Sequence, residues 1–259
     1  MPIRRAEEIW GTVISLDVRD EVSDDAVDAC YAWFRRVDDI FSTWRADTEI
    51  MRIGVGRLAV ADASPEVREV LDACEQMRLE SNGAFDIRAG GHSRAQWRPG
   101  LAPLDPSGFV KGWALGRAAD LLDAAGSRCF SINAGGDVFA RGVPAGSRGW
   151  RVGVQHPWER DRVAAVVEIG DRAVATSGRY ERGDHVLVPA TGRPATGLAS
   201  VTVVGPDPGV ADAYATAAVV LGPAEGMRWL ATRVGYEGFG ITDSRASLLT
   251  PGFDRYRVS

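Results

Sequence analysis

The apolar positions change their period along the chain. Val13 to Val18 alternates between apolar and polar residues, which predicts an opening strand. Ser23 then caps a helix carrying Asp24 and Asp25 in its first turn. Val27, Cys30, Tyr31, Phe34, Val37 and Phe41 recur at helical spacing, so this helix lays one apolar face on a core. A second helix is expected from Ser64-Pro65-Glu66, because Pro65 falls where no amide donor is needed. Its stripe is Val67, Val70, Leu71, Cys74 and Met77, and Asn82-Gly83 ends it. Gly90 to Pro106 contains several glycines and prolines, with Arg94 and Arg98 either side of Trp97, and reads as a long loop. A third helix is expected from about Lys111 to Ala125, stopping at Gly126.

From Cys129 onward the pattern shortens to runs rich in valine and isoleucine between glycine turns: Phe130 to Asn133, Arg151 to Gln155, Ala164 to Ile169, His185 to Val188 and Ser200 to Val204. Two helices follow, near Val210 to Leu221 and Ala224 to Thr232. Closing strands are expected near Gly238 to Thr242 and Ala246 to Leu249. Helices, then strands, then helices predict an α+β fold with a mostly antiparallel sheet, built as one domain over residues 1–259.

Composition narrows the function classes. With 259 residues, 45% of them hydrophobic, the chain can bury a large core, as one domain or two intimately packed lobes. Net charge is -5, with both signs interspersed, so no basic stripe is available for nucleic acid. Cys30, Cys74 and Cys129 are too scattered for a zinc site or a disulfide framework and read as small buried apolar residues. The N-terminal segment shows no apolar stretch suited to a leader or lipid anchor, and nothing approaches a membrane-spanning run. The expectation is a cytoplasmic protein without a membrane partner.

Four segments could carry chemistry. Asp212 and Thr216 sit four residues apart, on one helical face, and offer two hard oxygen donors of the kind magnesium takes. The same spacing also reads as a helix cap beside a packing contact. Asn133-Ala134-Gly135-Gly136-Asp137 follows an apolar strand, where paired glycines suit either a close backbone approach to a phosphate or a plain turn. Asp105 through Gly112 places Lys111, the only lysine, near a helix start, where it either meets a phosphate or is solvated. His185 opens a strand-like run and offers an imidazole suited to proton transfer, although a histidine there is also commonly structural.

The order of these segments says more than any one of them. Trp10-Gly11-Thr12, Phe41-Ser42-Thr43-Trp44, Gly83-Ala84-Phe85-Asp86, Asp105 through Gly112, Asn133 through Asp137, Ala175-Thr176-Ser177-Gly178, His185 through Pro194 and Ala211 through Thr216 occur in series. The series resembles the FAD:protein FMN transferase, or ApbE-like, family from about Gly11 to Leu221. That resemblance implies a two-lobed α+β fold with a flavin cleft between the lobes. It implies Mg²⁺-dependent transfer of FMN from FAD to a threonine or serine hydroxyl of an acceptor flavoprotein, with release of AMP. Asp212 and Thr216 match the family's metal ligands, with a backbone carbonyl near Val110, and His185 matches a proposed general base. Trp44, Asp86, Lys111, Asn133, Gly135, Gly136, Asp137, Thr176, Ser177 and Gly178 fall in segments matched to the flavin nucleotide. The chain departs from the family's usual pattern at Trp10, Trp44, Gly54, Arg88 and Val188, which stand where methionine, tyrosine, asparagine, threonine and aspartate are common. Hydrolysis of FAD to FMN and AMP, and catalytically silent FAD binding, are the alternatives the sequence leaves open.

Overall fold

The computed structural model describes residues 2–89, 104–159, 161–179 and 186–258. Its centre is an eight-stranded antiparallel sheet in the order β1-β2-β3-β4-β7-β10-β11-β12. These strands are β1 (Ile3–Ile9), β2 (Thr12–Val18), β3 (Phe130–Ala134), β4 (Asp137–Arg141), β7 (Arg172–Gly178), β10 (Leu198–Gly205), β11 (Glu237–Thr242) and β12 (Ser247–Leu249). Two small antiparallel pairs stand apart from it: β5 (Trp150–Gln155) with β6 (Val163–Ile169), and β8 (Leu187–Val188) with β9 (Arg193–Pro194).

Alternation along the central strands explains why both faces of the sheet are covered. On β7, Ala173 and Ala175 join the larger core under the helices, whereas Val174 joins a second core with Trp150, Val152 and Val167 of the β5–β6 pair. Phe139 and Val138 on β4 divide in the same way. β10, an interior strand third from the β12 edge, is buried along its whole length. The antiparallel α+β expectation is met, and the second core gives the smaller layer its own apolar filling.

Five helices build the other layer: α1 (Asp24–Phe41), α2 (Glu49–Gly54), α3 (Pro65–Glu80), α4 (Ser107–Ala124) and α5 (Pro208–Leu230). Helix α4 starts a turn earlier than Lys111, because Asp105 accepts the Ser107 amide at 3.1 Å and Pro106 offers its carbonyl to the next turn. The two expected C-terminal helices are the halves of α5, broken at Gly222, whose φ of 81° leaves the helical region just before Pro223. Hydropathy alone does not mark β1: its inward positions include Arg5 and Glu7, which pair with each other while Glu7 also pairs with Arg35 of α1. Cys30 and Cys74 are buried, and burial pushes the Cys30 thiol up to about 12, as befits packing residues.

Helices α4 and α5 approach to backbone contact. Gly112 makes this possible, since a Cβ there would overlap the Pro208 carbonyl. Gly112→Ala is therefore expected to cost about 1–3 kcal/mol by overpacking, read as a lower denaturation midpoint with an unchanged m-value.

Candidate active site

One cleft of about 820 Å³ opens where α1, α4, α5, the end of β7 and the residues preceding β8 converge. That is ample for a dinucleotide-sized ligand. One wall comes from the β1–β2 turn, where Trp10 (φ 61°) and Gly11 (φ 67°) are both left-handed, as a two-residue type I′ hairpin demands. Trp10 holds this conformation by donating its indole N–H to the Phe34 carbonyl at 3.0 Å and by meeting the Phe34 ring edge-on. Trp44, 74% exposed, stands at the rim.

The opposite wall gathers oxygen donors. Asp212, buried, and Thr216 face the cleft from the first half of α5. The Thr216 hydroxyl lies 2.8 Å from that of Ser177 at the end of β7. A Cβ at Gly108 would stand 3.1 Å from Thr216 Oγ1, so the start of α4 reaches the same place and brings Val110 to the lining. Among the described residues, no three His, Cys, Asp or Glu side chains cluster as a metal site. The donors gathered on this wall are the Asp212 carboxylate and the hydroxyls of Thr216 and Ser177. They fit a hard cation that completes its shell with water and phosphate oxygens.

Lys111, one turn into α4, and Thr176 line the cleft beside this group, and so do Gly178 and Asp86. Lys111 Nζ is 2.7 Å from Asp137 Oδ2, and the Thr176 amide donates to Asp137 Oδ1 at 2.9 Å. Asn133, Gly135, Gly136 and Asp137 themselves form the β3–β4 turn, behind the lining. Gly135 (φ 59°) and Gly136 (φ 98°) make a second type I′ turn, and Asn133 Oδ1 accepts the Gly136 amide at 2.9 Å. His185 lies outside the described residues; Val186, which follows it, lines the cleft.

Two further carboxylates belong to the lining: Asp105, which opens one of the candidate segments, and Asp38, which the sequence reading did not single out. Asp105 is engaged in starting α4. Asp38 sits in the last turn of α1, beside Asp39, where the helix dipole disfavours negative charge. That misplaced pair of aspartates was the readable signal. Burial holds the Asp38 carboxyl above the ordinary range, partly offset by Arg45 and reinforced by Asp39.

The sequence profile described as the ApbE family matches residues 10–100 and 96–239. The chain is 34% identical over 169 residues to the FAD:protein FMN transferase of Escherichia coli K12, covering 60% of this chain and 48% of that protein. It is 27% identical over 277 residues to the protein of the same name from Salmonella typhimurium, covering 86% and 79%. The E. coli alignment spans about half the length of that relative. Among solved structures, the flavin transferase ApbE of Vibrio cholerae superposes with a TM-score of 0.83 at 22% identity over 99% of both chains. The apo flavinyl transferase ApbE of Pseudomonas stutzeri gives 0.82 at 24% identity over 99% and 96%. At these identities the two superpositions speak for the fold.

The shift at Asp38 has a thermodynamic sign. A carboxyl whose folded pKa is raised stabilises the fold only while protonated, and that contribution is lost as pH rises through the folded pKa. Asp38→Asn should therefore melt higher than wild type at neutral pH. The advantage should shrink as pH falls toward about 4, where the unfolded carboxyl also protonates; paired thermal melts across that range check it.

Proposed function

The chain belongs to the ApbE family, and from that premise we propose that it is an FAD:protein FMN transferase, moving the FMN half of FAD onto a threonine or serine hydroxyl of an acceptor flavoprotein and releasing AMP. The observation that carries the proposal is the convergence of Asp212, Thr216, Ser177 and Lys111 on one wall of a dinucleotide-sized cleft. A pure flavin carrier has no need of a buried carboxylate and hydroxyl pair aimed at a substrate's charged linkage.

In this reading the two tryptophans offer flat apolar surface to the planar rings of FAD, Trp10 from a locked turn and Trp44 from the rim. The pyrophosphate lies toward the α4–α5 wall, where Lys111 donates to its oxygens. Asp212, Thr216 and a carbonyl near Val110 would hold Mg²⁺, which when bound supplies neutralisation of phosphate charge. The acceptor hydroxyl attacks the phosphorus on the FMN side, forming the new P–O bond as the bond to the bridging oxygen breaks. That oxygen leaves with AMP. We assign the proton of the attacking hydroxyl to His185, which opens the matched histidine segment and directly precedes the cleft-lining Val186. The family's common aspartate at position 188 is valine here, so any support for that imidazole comes from elsewhere.

Calorimetric titration should show tighter binding of FAD than of FMN, since the cleft takes both nucleotide halves; equal affinities would remove the dinucleotide assignment. In a magnesium-containing assay of AMP release with a threonine-bearing acceptor peptide, Asp212→Ala should abolish turnover and Thr216→Ala should raise the magnesium requirement. AMP formed equally well without the peptide would mark the enzyme as an FAD hydrolase instead.

His185→Ala is expected to keep FAD affinity and lose about two or more decades of turnover. Wild-type turnover should fall as pH drops through the imidazole range, with no such limb in the variant. Near-normal turnover in the variant at high pH would leave His185 a structural residue.

A further inference from the structure

Asp137 is not part of the cleft lining yet touches two elements of its oxygen-donor wall, α4 and β7. It is 2% exposed. One carboxylate oxygen accepts the Thr176 amide of β7 at 2.9 Å, and the other lies 2.7 Å from Lys111 Nζ on α4. Beyond Thr176 the line continues through Ser177, whose hydroxyl is 2.8 Å from that of Thr216 on α5. One side chain on β4 thus joins α4 to β7, and through β7 to α5.

The choice of cation supports a specific role. Of 30 lysines and arginines in the chain, Lys111 is the only lysine. A compact ammonium on a flexible stem can meet a buried carboxylate as a point charge, where a guanidinium would need a wider planar seat. With Asp137 buried and Lys111 partly so, desolvation offsets much of the pair's attraction, so its role here is geometric more than stabilising.

We propose that Asp137 is a positioning residue: it pins the Lys111 ammonium and the Thr176–Ser177 backbone to one point, so that the lysine acts in the cleft as a fixed donor whose charge is already balanced. The proposal rests on the reading above only for what the lysine is positioned toward, an oxygen of the FAD pyrophosphate. Net positive charge for that group has to come from elsewhere, because the carboxylate of Asp137 cancels the lysine's.

Three variants test it: Asp137→Asn, Lys111→Met and the double substitution. Asp137→Asn should weaken FAD binding about tenfold, the size of a lost charge-assisted hydrogen bond. Lys111→Met should lose about as much, and the double variant no more than either, since both act through one contact. At saturating FAD, turnover per folded molecule should fall less than affinity. Additive losses, or an Asp137→Asn protein with wild-type affinity and turnover, would overturn the proposal. The single lysine also gives a readout that needs no nucleotide. Amine-directed acylation, mapped to Lys111 by peptide mass, should run several-fold faster in Asp137→Asn, and equal rates would overturn the clamp. Wild-type protein that failed to bind FAD would sink the functional reading alone, because this labelling still decides the clamp. If Asp137→Asn does not fold, the double variant should fold again once the stranded charge is removed; failure to recover would also overturn it.

Discussion

The approach of α4 to the first half of α5 is the constraint on which the cleft depends. Where Gly112 meets the Pro208 carbonyl the helices are separated by no side chain, and one turn earlier Gly108 lies beside Thr216. A Cβ at Gly112 would overlap the Pro208 carbonyl and push the helices apart, carrying Asp212 and Thr216 away from Val110 and Lys111. The functional wall is therefore a by-product of how closely two buried helices pack. That packing is itself held by the sheet beneath, since α5 lies across β7 and β10. Rigidity of this kind suits phosphoryl chemistry, in which placement and charge do most of the work.

The other wall is made differently. It comes from loop ends and a hairpin turn, and its conformation is paid for locally: a tryptophan in left-handed backbone geometry, held by one indole hydrogen bond and one edge-on ring contact. The two walls thus have separate supports. A change in the aromatic wall can alter which planar ring is accepted without disturbing the oxygen donors opposite.

Much of this was legible in the sequence, for identifiable reasons. Helices α1 and α3 could be read because their buried faces repeat at helical spacing, and β10 because its valines form a short β-branched run between glycine turns. The break in α5 was marked by Gly222-Pro223. Strand β1 was hidden because polar residues occupy its inward positions, and β7 because Arg172–Gly178 is built of small residues that form no apolar run. The start of α4 was placed late because Asp105 acts through a side-chain contact that periodicity does not see. In the site, helical spacing put Asp212 and Thr216 on one face of α5, and that face lines the cleft. The glycine pair, readable as a phosphate loop or as a plain turn, closes the β3–β4 hairpin, and Asp137 follows it on β4.

The charged edge strand has a consequence for how a second protein can be engaged. Arg4, Arg5, Glu7 and Glu8 give β1 a border of both signs, and β12 at the other end is only three residues long. Neither border invites another chain to extend the sheet. A second polypeptide that meets this protein is then held by side chains rather than by strand addition, and its own backbone stays free of the sheet's hydrogen-bond ladder.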